Sequence, residues 1–247
     1  MDLVGSCPLR RVILIASLAA ICLIAPLAHA SKKPKLQVAR WTKGAPGCAF
    51  SQDPDGKYRY TFSAPDYDVT LAVDAQELAI THRRIEPFFG VLVSVRYHGI
   101  SMVGVNPSKA TMQFVSHHKV VVYPLDPESF ALRTQDDADQ LEFDTEREIK
   151  KHPERKEERE HYVQAYQKEV ADFLEFLSQQ SFPGMQLDAA NPQASGWILF
   201  STRNKWLGEW KKREQFVLRL PLTDRILEFP FALPPGDNGP ILRERTD

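Results

Sequence analysis

Apolar residues recur along this chain with two spacings, and the spacing changes once near the middle of the sequence. On both sides of that change they alternate with polar residues in short runs, which predicts strands with one buried face. The clearest run is 88–97, where Phe89, Val91, Val93 and Val95 fall on one face. Further strands are predicted at 36–41, 48–51, 58–62, 69–73, 110–115, 119–123, 197–201, 215–220 and 226–231.

The middle stretch, residues 136–180, has the spacing of a helix. Its last part repeats apolar residues at i and i+3 or i+4, which places them on one side of a helix. These residues are Tyr162, Val163, Tyr166, Val170, Phe173, Leu174 and Leu177. We expect this part to dock on the body of the protein.

The first part of the stretch, 144–160, is almost entirely charged, with Ile149 as its one clearly apolar residue. It lacks a heptad seam, which argues against a coiled coil. We therefore expect one long helix, spanning 146–180, whose charged half projects into water. Pro153 predicts a kink or break near His152, or a second helix that starts there. Upstream, Asp126 and Pro127 form a plausible N-cap and first helical residue.

Strands at intervals of 8 to 15 residues, separated by turn signals, predict a mainly β protein: an antiparallel, immunoglobulin-like β-sandwich with a long, kinked, charged helical insertion. The strand–helix alternation of a parallel sheet is missing. The predicted domain spans 36–235 with the insertion at 136–180. A disordered tail at 31–35 precedes it, and a loose tail at 236–247 follows it.

Residues 1–30 match a secretory signal peptide. Arg10 and Arg11 precede an apolar run, and Ala28-His29-Ala30 is a small-x-small cleavage site, so cleavage is expected before Ser31. The alternative is an uncleaved anchor, for which the apolar run is somewhat short. We expect an exported bacterial protein, periplasmic or extracellular, with no membrane span after cleavage.

Removing the signal residues leaves 29 basic and 31 acidic residues and a formal charge of −2. This balance gives no electrostatic reason to bind nucleic acid or an anionic membrane. Cys7 and Cys22 leave with the signal peptide, so Cys48 has no partner for an intramolecular disulfide. It is interpreted as a small, half-buried thiol, with an intermolecular bridge or a reactive thiol as the alternatives.

Aromatic and basic residues cluster towards the C-terminus. Trp197, Trp206 and Trp210 could form a stacking surface for a sugar or a partner protein, although aromatic residues at strand ends more often pack on a core. The neighbouring basic residues could bind an acidic partner, including the acidic side of the helix itself, or could simply be solvated. They are Arg203, Lys205, Lys211, Lys212 and Arg213.

His117 and His118 are weak candidates for metal ligands, because adjacent residues on a strand point to opposite faces and could share an ion only within a turn. No metal and no cofactor is expected. The sequence lacks G-x-S-x-G, H-E-x-x-H, P-loop and G-x-G-x-x-G motifs. Catalytic residues are therefore not assigned, although a glycosidase-like carboxylate pair stays open as an unrecognised hydrolase site.

Two C-terminal segments resemble the last strands of exported bacterial immunoglobulin-like domains. They are Gly196-Trp197-Ile198-Leu199-Phe200 and Phe216-Val217-Leu218-Arg219-Leu220-Pro221. The charged helix departs from a plain domain of this type. The resemblance implies a sandwich fold and an adhesive, accessory or interaction role, and it carries over no catalytic residue.

The leading prediction is an exported, non-enzymatic protein that binds a protein partner in the cell envelope. Its expected contact surfaces are the helix at 146–180 and the aromatic and basic segment at 206–213. The alternatives are a carbohydrate- or peptidoglycan-binding module that uses the tryptophans, and an envelope hydrolase.

Overall fold

Two five-stranded sheets and one two-stranded sheet contain the strands of the part of the chain that the structure describes. This computed structural model describes residues 36–52, 57–74, 86, 88–201, 203 and 214–233. In chain order the strands are β1 Gln37–Arg40, β2 Cys48–Gln52, β3 Lys57–Ser63, β4 Tyr67–Asp74, β5 Phe88–Tyr97, β6 Val103–Val105, β7 Thr111–Phe114, β8 Val121–Val122, β9 Met185–Leu187, β10 Gln193–Ser201, β11 Glu214–Pro221 and β12 Arg225–Leu233.

The sheets are predominantly antiparallel. Sheet A has the order β1-β12-β11-β7-β8, sheet B has the order β10-β5-β4-β3-β2, and sheet C pairs β6 with β9. Every one of these pairs is antiparallel except β1 with β12, where Gln37 lies opposite Arg225 in a parallel register. The prediction of a mainly β protein with antiparallel sheets and a helical insertion is confirmed at the level of secondary structure and strand pairing. The parallel edge pair was not anticipated.

Sheets A and B bury their apolar faces in one shared hydrophobic cluster. In β5 the buried face consists of the four residues that alternation predicts, Phe89, Val91, Val93 and Val95, each no more than 2% exposed. Strand β11 contributes Phe216, Leu218 and Leu220, which are fully buried. Burying a large apolar side chain contributes about 1.5–3 kcal/mol, so this shared core is the main source of stability.

Two polar side chains hold the sheets together at the margins of this core. The Trp41 indole Nε1, directly after β1 of sheet A, donates to the carbonyls of Ala49 and Thr61 in sheet B, at 3.2 and 3.0 Å. The buried Tyr67 hydroxyl in sheet B donates to Asp224, in the turn between β11 and β12, at 3.2 Å. Burial, together with the nearby Asp224 carboxylate, raises the pKa of Tyr67 well above its ordinary value. The hydroxyl therefore stays protonated and remains a donor.

The expectation of one long, kinked helix is wrong. The chain forms two helices, α1 Pro127–Lys151 and α2 Lys156–Gln180, joined by the 3₁₀ turn Pro153–Arg155. We call residues 127–180 the helical hairpin. Its two helices pack against each other in an antiparallel arrangement, with the Tyr166 hydroxyl donating to Asp137 at 2.7 Å, Gln167 donating to Glu142 at 2.9 Å, and Arg159 paired with Glu148 at 2.9 Å.

The chain reverses because of Pro153. Proline lacks a backbone N–H and disfavours helical geometry in the preceding residue, and His152 has left the helical region, with φ −134° and ψ 70°. Helix α1 begins at Pro127, nine residues before the predicted start of the insertion at 136. It begins there because the Asp126 carboxylate accepts from the Ser129 backbone N–H at 2.9 Å and Pro127 occupies the first turn. The predicted N-cap at Asp126 is confirmed.

The base of the helical hairpin packs on the outer face of sheet B, the face opposite the shared core. Phe130, Phe173 and Leu177 bury Leu199 of β10 in a second hydrophobic cluster, which Phe88 and Trp197 extend. Both ends of the hairpin are also bonded to β10. The Leu125 N–H donates to the Leu199 carbonyl at 2.8 Å, and the Phe182 N–H donates to the Trp197 carbonyl at 2.9 Å.

Gly196 in β10 leaves room for the segment that follows α2. A β-carbon at position 196 would lie 2.5 Å from Phe182 Cα and 2.6 Å from Phe182 N, which are backbone atoms held in place by the bond to Trp197. We expect Gly196→Ala to lower the free energy of unfolding by about 2 kcal/mol in urea denaturation, because the backbone must shift. Gly184→Ala is the control, since the nearest atom to its β-carbon would be Pro107 Cδ at 3.4 Å. Equal losses for both variants would contradict this account.

We expect the Asp126 cap to make the stability of the hairpin sensitive to acid. Hydrogen bonds from the Ser129 side chain and backbone hold the pKa of the Asp126 carboxyl below its ordinary value. A carboxyl whose pKa is lower in the folded state than in the unfolded state stabilises the fold when it is ionised. This stabilisation is complete above the unfolded-state pKa and is lost as pH falls through the folded-state pKa. Wild type should therefore lose its stability advantage over Asp126→Asn between about pH 5 and about pH 2, as measured by urea unfolding. Asp144→Asn removes the same charge without a cap and is the control. If wild type keeps the same stability advantage over Asp126→Asn down to about pH 2, the charge of the Asp126 carboxylate does not contribute to the cap.

Candidate functional site

Trp197 packs beside the base of the helical hairpin. It is half-buried on the outer face of β10, and its ring lies 6.4 Å from that of Phe176 in α2, tilted by 47°. Its carbonyl accepts from Phe182, as described above. The indole is therefore a packing residue in this structure, although part of its surface remains open to solvent.

Of the other residues of the predicted aromatic and basic site, the structure describes only Arg203. Arg203 is exposed. The remaining positions lie outside the described residues, so their role stays a prediction. They are Lys205, Trp206, Trp210, Lys211, Lys212 and Arg213.

His117 and His118 lie in the turn between β7 and β8, the one setting in which adjacent histidines could share an ion. His117 is half-buried and His118 is exposed, and the His118 carbonyl accepts from Gln113 Nε2 at 2.6 Å. Within the described ranges, no three His, Cys, Asp or Glu side chains converge in a way that could hold a metal ion.

Cys48 is half-buried at the start of β2, with its sulfur 3.5 Å from the Thr42 backbone nitrogen.

Glu228 is the most deeply buried carboxylate in the described part of the chain. It lies on the outer face of sheet A, opposite Arg40 and Arg219. One carboxylate oxygen accepts from Arg219 Nε at 2.8 Å, and the other lies 3.6 Å from Arg40 Nη1. Both oxygens are thus engaged by guanidinium groups, which explains how a charge is tolerated at this position. The arrangement joins β1, β12 and β11, three neighbouring strands of sheet A.

A second surface is the side of α1 that faces away from α2. The stripe of α1 that is buried consists of Phe130, Thr134, Ala138, Leu141 and Thr145. On the opposite side, five exposed residues form what we call the α1 outer face: Leu132, Asp136, Asp139, Phe143 and Glu146. Leu132 is 68% exposed and Phe143 is 56% exposed. They lie eleven residues apart, about 16 Å along the helix and on the same side.

Charge is unevenly distributed along the hairpin. Between 136 and 148 there are seven acidic residues and one basic residue, Arg147. Between 150 and 159, around the turn, five basic residues outnumber three acidic ones. The hairpin thus has an acidic shaft and a basic tip.

A third surface is a groove of about 430 Å³ on the outer face of sheet B. Its floor carries four hydroxyl side chains from four adjacent strands, in one row set by the strand registers. They are Thr61 of β3, Thr70 of β4, Ser94 of β5 and Ser195 of β10. Thr61 bonds to Thr70 at 3.0 Å, and Ser94 bonds to Ser195 at 2.7 Å. We call this feature the hydroxyl groove.

Charged and amide side chains form the next row of the groove. Asp68, Arg96 and Gln193 lie opposite one another on β4, β5 and β10. Asp68 is the one carboxylate among the residues that line the groove, and it lies 3.6 Å from His98 Nε2. Arg96 is exposed and makes no ion pair with any residue that the structure describes. The sequence did not reveal this groove, because its residues come together only once the strand registers are known.

Comparisons with protein-family models, with characterised proteins and with solved structures found no match. Within the described ranges, no helix is long and apolar enough to cross a membrane.

The packing role of Trp197 can be tested through stability. Because the indole packs against Phe176 and is half-buried, we expect Trp197→Ala to lower the free energy of unfolding by about 2 kcal/mol, with Trp197→Phe keeping most of it. Tyr123→Ala is the matched control, since Tyr123 is 66% exposed and its loss should cost less than about 0.5 kcal/mol. Urea unfolding measures all three. If Trp197→Ala is as stable as wild type, the indole does not support the hairpin.

Proposed function

We propose that this chain is an exported, non-enzymatic binding protein that contacts a protein partner in the cell envelope through the α1 outer face. Export is supported by the basic, apolar and small-residue pattern of residues 1–30. The body that presents the helix is proposed to be an immunoglobulin-like sandwich. Two predominantly antiparallel five-stranded sheets that share one core support that proposal.

The observation that carries the proposal is the exposure of Leu132 and Phe143 on a helix whose described contacts with the sheets lie at the base of the hairpin. The contacts of the hairpin with sheet B involve residues near its two ends, such as Phe130 and Leu177. Helix α1 continues past Phe130 for 21 residues, about 31 Å. Large apolar side chains held on a rigid helix that extends from a stable body suit a protein-binding surface.

The residue types on the α1 outer face indicate what kind of protein surface would bind to it. Leu132 and Phe143 are interleaved with Asp136, Asp139 and Glu146. A complementary protein surface would carry apolar pockets about 16 Å apart, surrounded by lysine or arginine side chains. The apolar anchors would provide most of the affinity and the carboxylates would favour basic partners over others.

Site-specific photo-crosslinking in the producing cell tests the proposal. The photoreactive residue p-benzoylphenylalanine replaces Leu132 or Phe143, and Gln164 on the solvent side of α2 is the control position. We expect a discrete adduct with one envelope protein from positions 132 and 143, and none from 164.

The partner identified in the adduct is then used for affinity measurements. We expect Leu132→Ser and Phe143→Ser each to weaken binding at least about tenfold, a normal loss for an apolar anchor at an interface. Gln164→Ser should bind like wild type. Adducts from position 164 alone, or wild-type affinity in both anchor variants, would exclude the α1 outer face as the contact surface.

A further inference from the structure

We infer that the hydroxyl groove on the outer face of sheet B is a binding site for a neutral saccharide. This site is separate from the α1 outer face, and the inference stands without the proposed protein partner. It rests on the row of four hydroxyls, on the mixed donors and acceptors beside it, and on the apolar residues at one side.

The groove has the size of a ligand site. Its volume of about 430 Å³ falls in the range of roughly 300–1,000 Å³ that small-molecule sites occupy. Adjacent strands lie about 4.8 Å apart, so the hydroxyl row from Thr61 to Ser195 spans about 14 Å across four strands. That length accommodates more than one sugar ring lying flat on the sheet.

The hydroxyls of the row are preorganised and still able to bond outwards. Each is held by one neighbour, in the pairs Thr61 with Thr70 and Ser94 with Ser195. A hydroxyl has one donor and two acceptor positions, so each pair keeps one O–H and several lone pairs for a ligand. A ligand that matches this row must itself offer donors and acceptors in alternation, as the hydroxyls of a saccharide do.

The charged residues of the groove favour a neutral ligand. Among the residues that line the groove, an anion would find one guanidinium, Arg96, beside the Asp68 carboxylate, which repels it. A cation would find Asp68 alone, next to His98 and Arg96. In contrast, the planar groups of Asp68, Arg96 and Gln193 can each form paired hydrogen bonds with neighbouring hydroxyls.

The side of the groove nearer the helical hairpin is bordered by apolar residues on β5 and β10. Two residues further along each strand, on the same outer face, Leu92 of β5 and Trp197 of β10 lie opposite each other. Both are partly exposed. The carbon-bound hydrogens of a sugar ring can pack on this surface while its hydroxyls bond to the row beside it. Trp197 thus supports the hairpin with one part of its indole and borders the groove with another.

Titration of the purified full chain tests the inference. The probes are cellobiose, maltose and N,N′-diacetylchitobiose, with sodium sulfate as the anionic comparison. Binding is followed by NMR of the isotopically labelled backbone amides. We expect at least one disaccharide to bind with a Kd below about 1 mM and to shift the amides of Thr70, Ser94 and Ser195.

Variants then locate the site. The double variant Thr70→Val with Ser195→Ala should weaken binding of that disaccharide at least about tenfold, and Arg96→Gln several-fold, since the apolar replacements leave ligand hydroxyls unpaired. Thr111→Val, on the outer face of sheet A, is the matched control and should bind like wild type. Ser94→Ala provides a milder single change if the double variant unfolds.

Three outcomes would overturn the inference. The first is that no disaccharide shifts the groove amides. The second is that sulfate shifts them and the disaccharides do not, which would make the groove an anion site. The third is that Thr111→Val weakens binding as much as the groove variants, which would place the sugar elsewhere.

Discussion

The pairing of β10 with both ends of the helical hairpin is the constraint on which the rest of the structure depends. Strand β10 is an edge of sheet B, and an edge leaves backbone groups that need partners. The N–H groups of Leu125 and Phe182 reach the carbonyls of Leu199 and Trp197, so the segments before and after the hairpin protect that edge. These bonds bring the ends of a 54-residue excursion to one strand, which fixes the hairpin base over Leu199 and Phe88. The hairpin then covers one end of the outer face of sheet B, and the hydroxyl groove lies towards the other end.

Much of the β-structure could be predicted from alternation. Strand β5 buries the four residues that the pattern places on one face, and β11 buries Phe216, Leu218 and Leu220 as expected. The helical insertion was harder to predict, because the stripe that α1 buries contains Thr134, Ala138 and Thr145, which carry little hydrophobic signal. Without that stripe, the charged residues looked like one solvated helix. Pro153 is the residue that marks the end of the first helix, and a second helix starting near it is the alternative to a kink that the structure adopts.

In the candidate sites, too, residue types could be recognised from the sequence, whereas contacts between distant residues could not. Trp197 could be singled out from its residue type, but its packing against Phe176 joins residues 21 positions apart in sequence. The hydroxyl row has no local signature in the sequence, since Thr61 and Ser195 are separated by 134 positions. Three strand registers together place them in one row. The burial of Glu228 likewise depends on guanidinium groups from two neighbouring strands, which alternation within β12 does not disclose.

The acidic shaft and basic tip of the helical hairpin give it an electric dipole along its own axis. Because the hairpin extends from the sheets, that dipole lies in solvent, where an approaching charged molecule experiences it before any contact forms. The field would turn the approaching molecule into alignment and so increase the fraction of productive collisions. Mobile ions weaken such a field over about 8 Å at physiological ionic strength, so the speed of encounter would depend on the surrounding electrolyte far more than the lifetime of the complex.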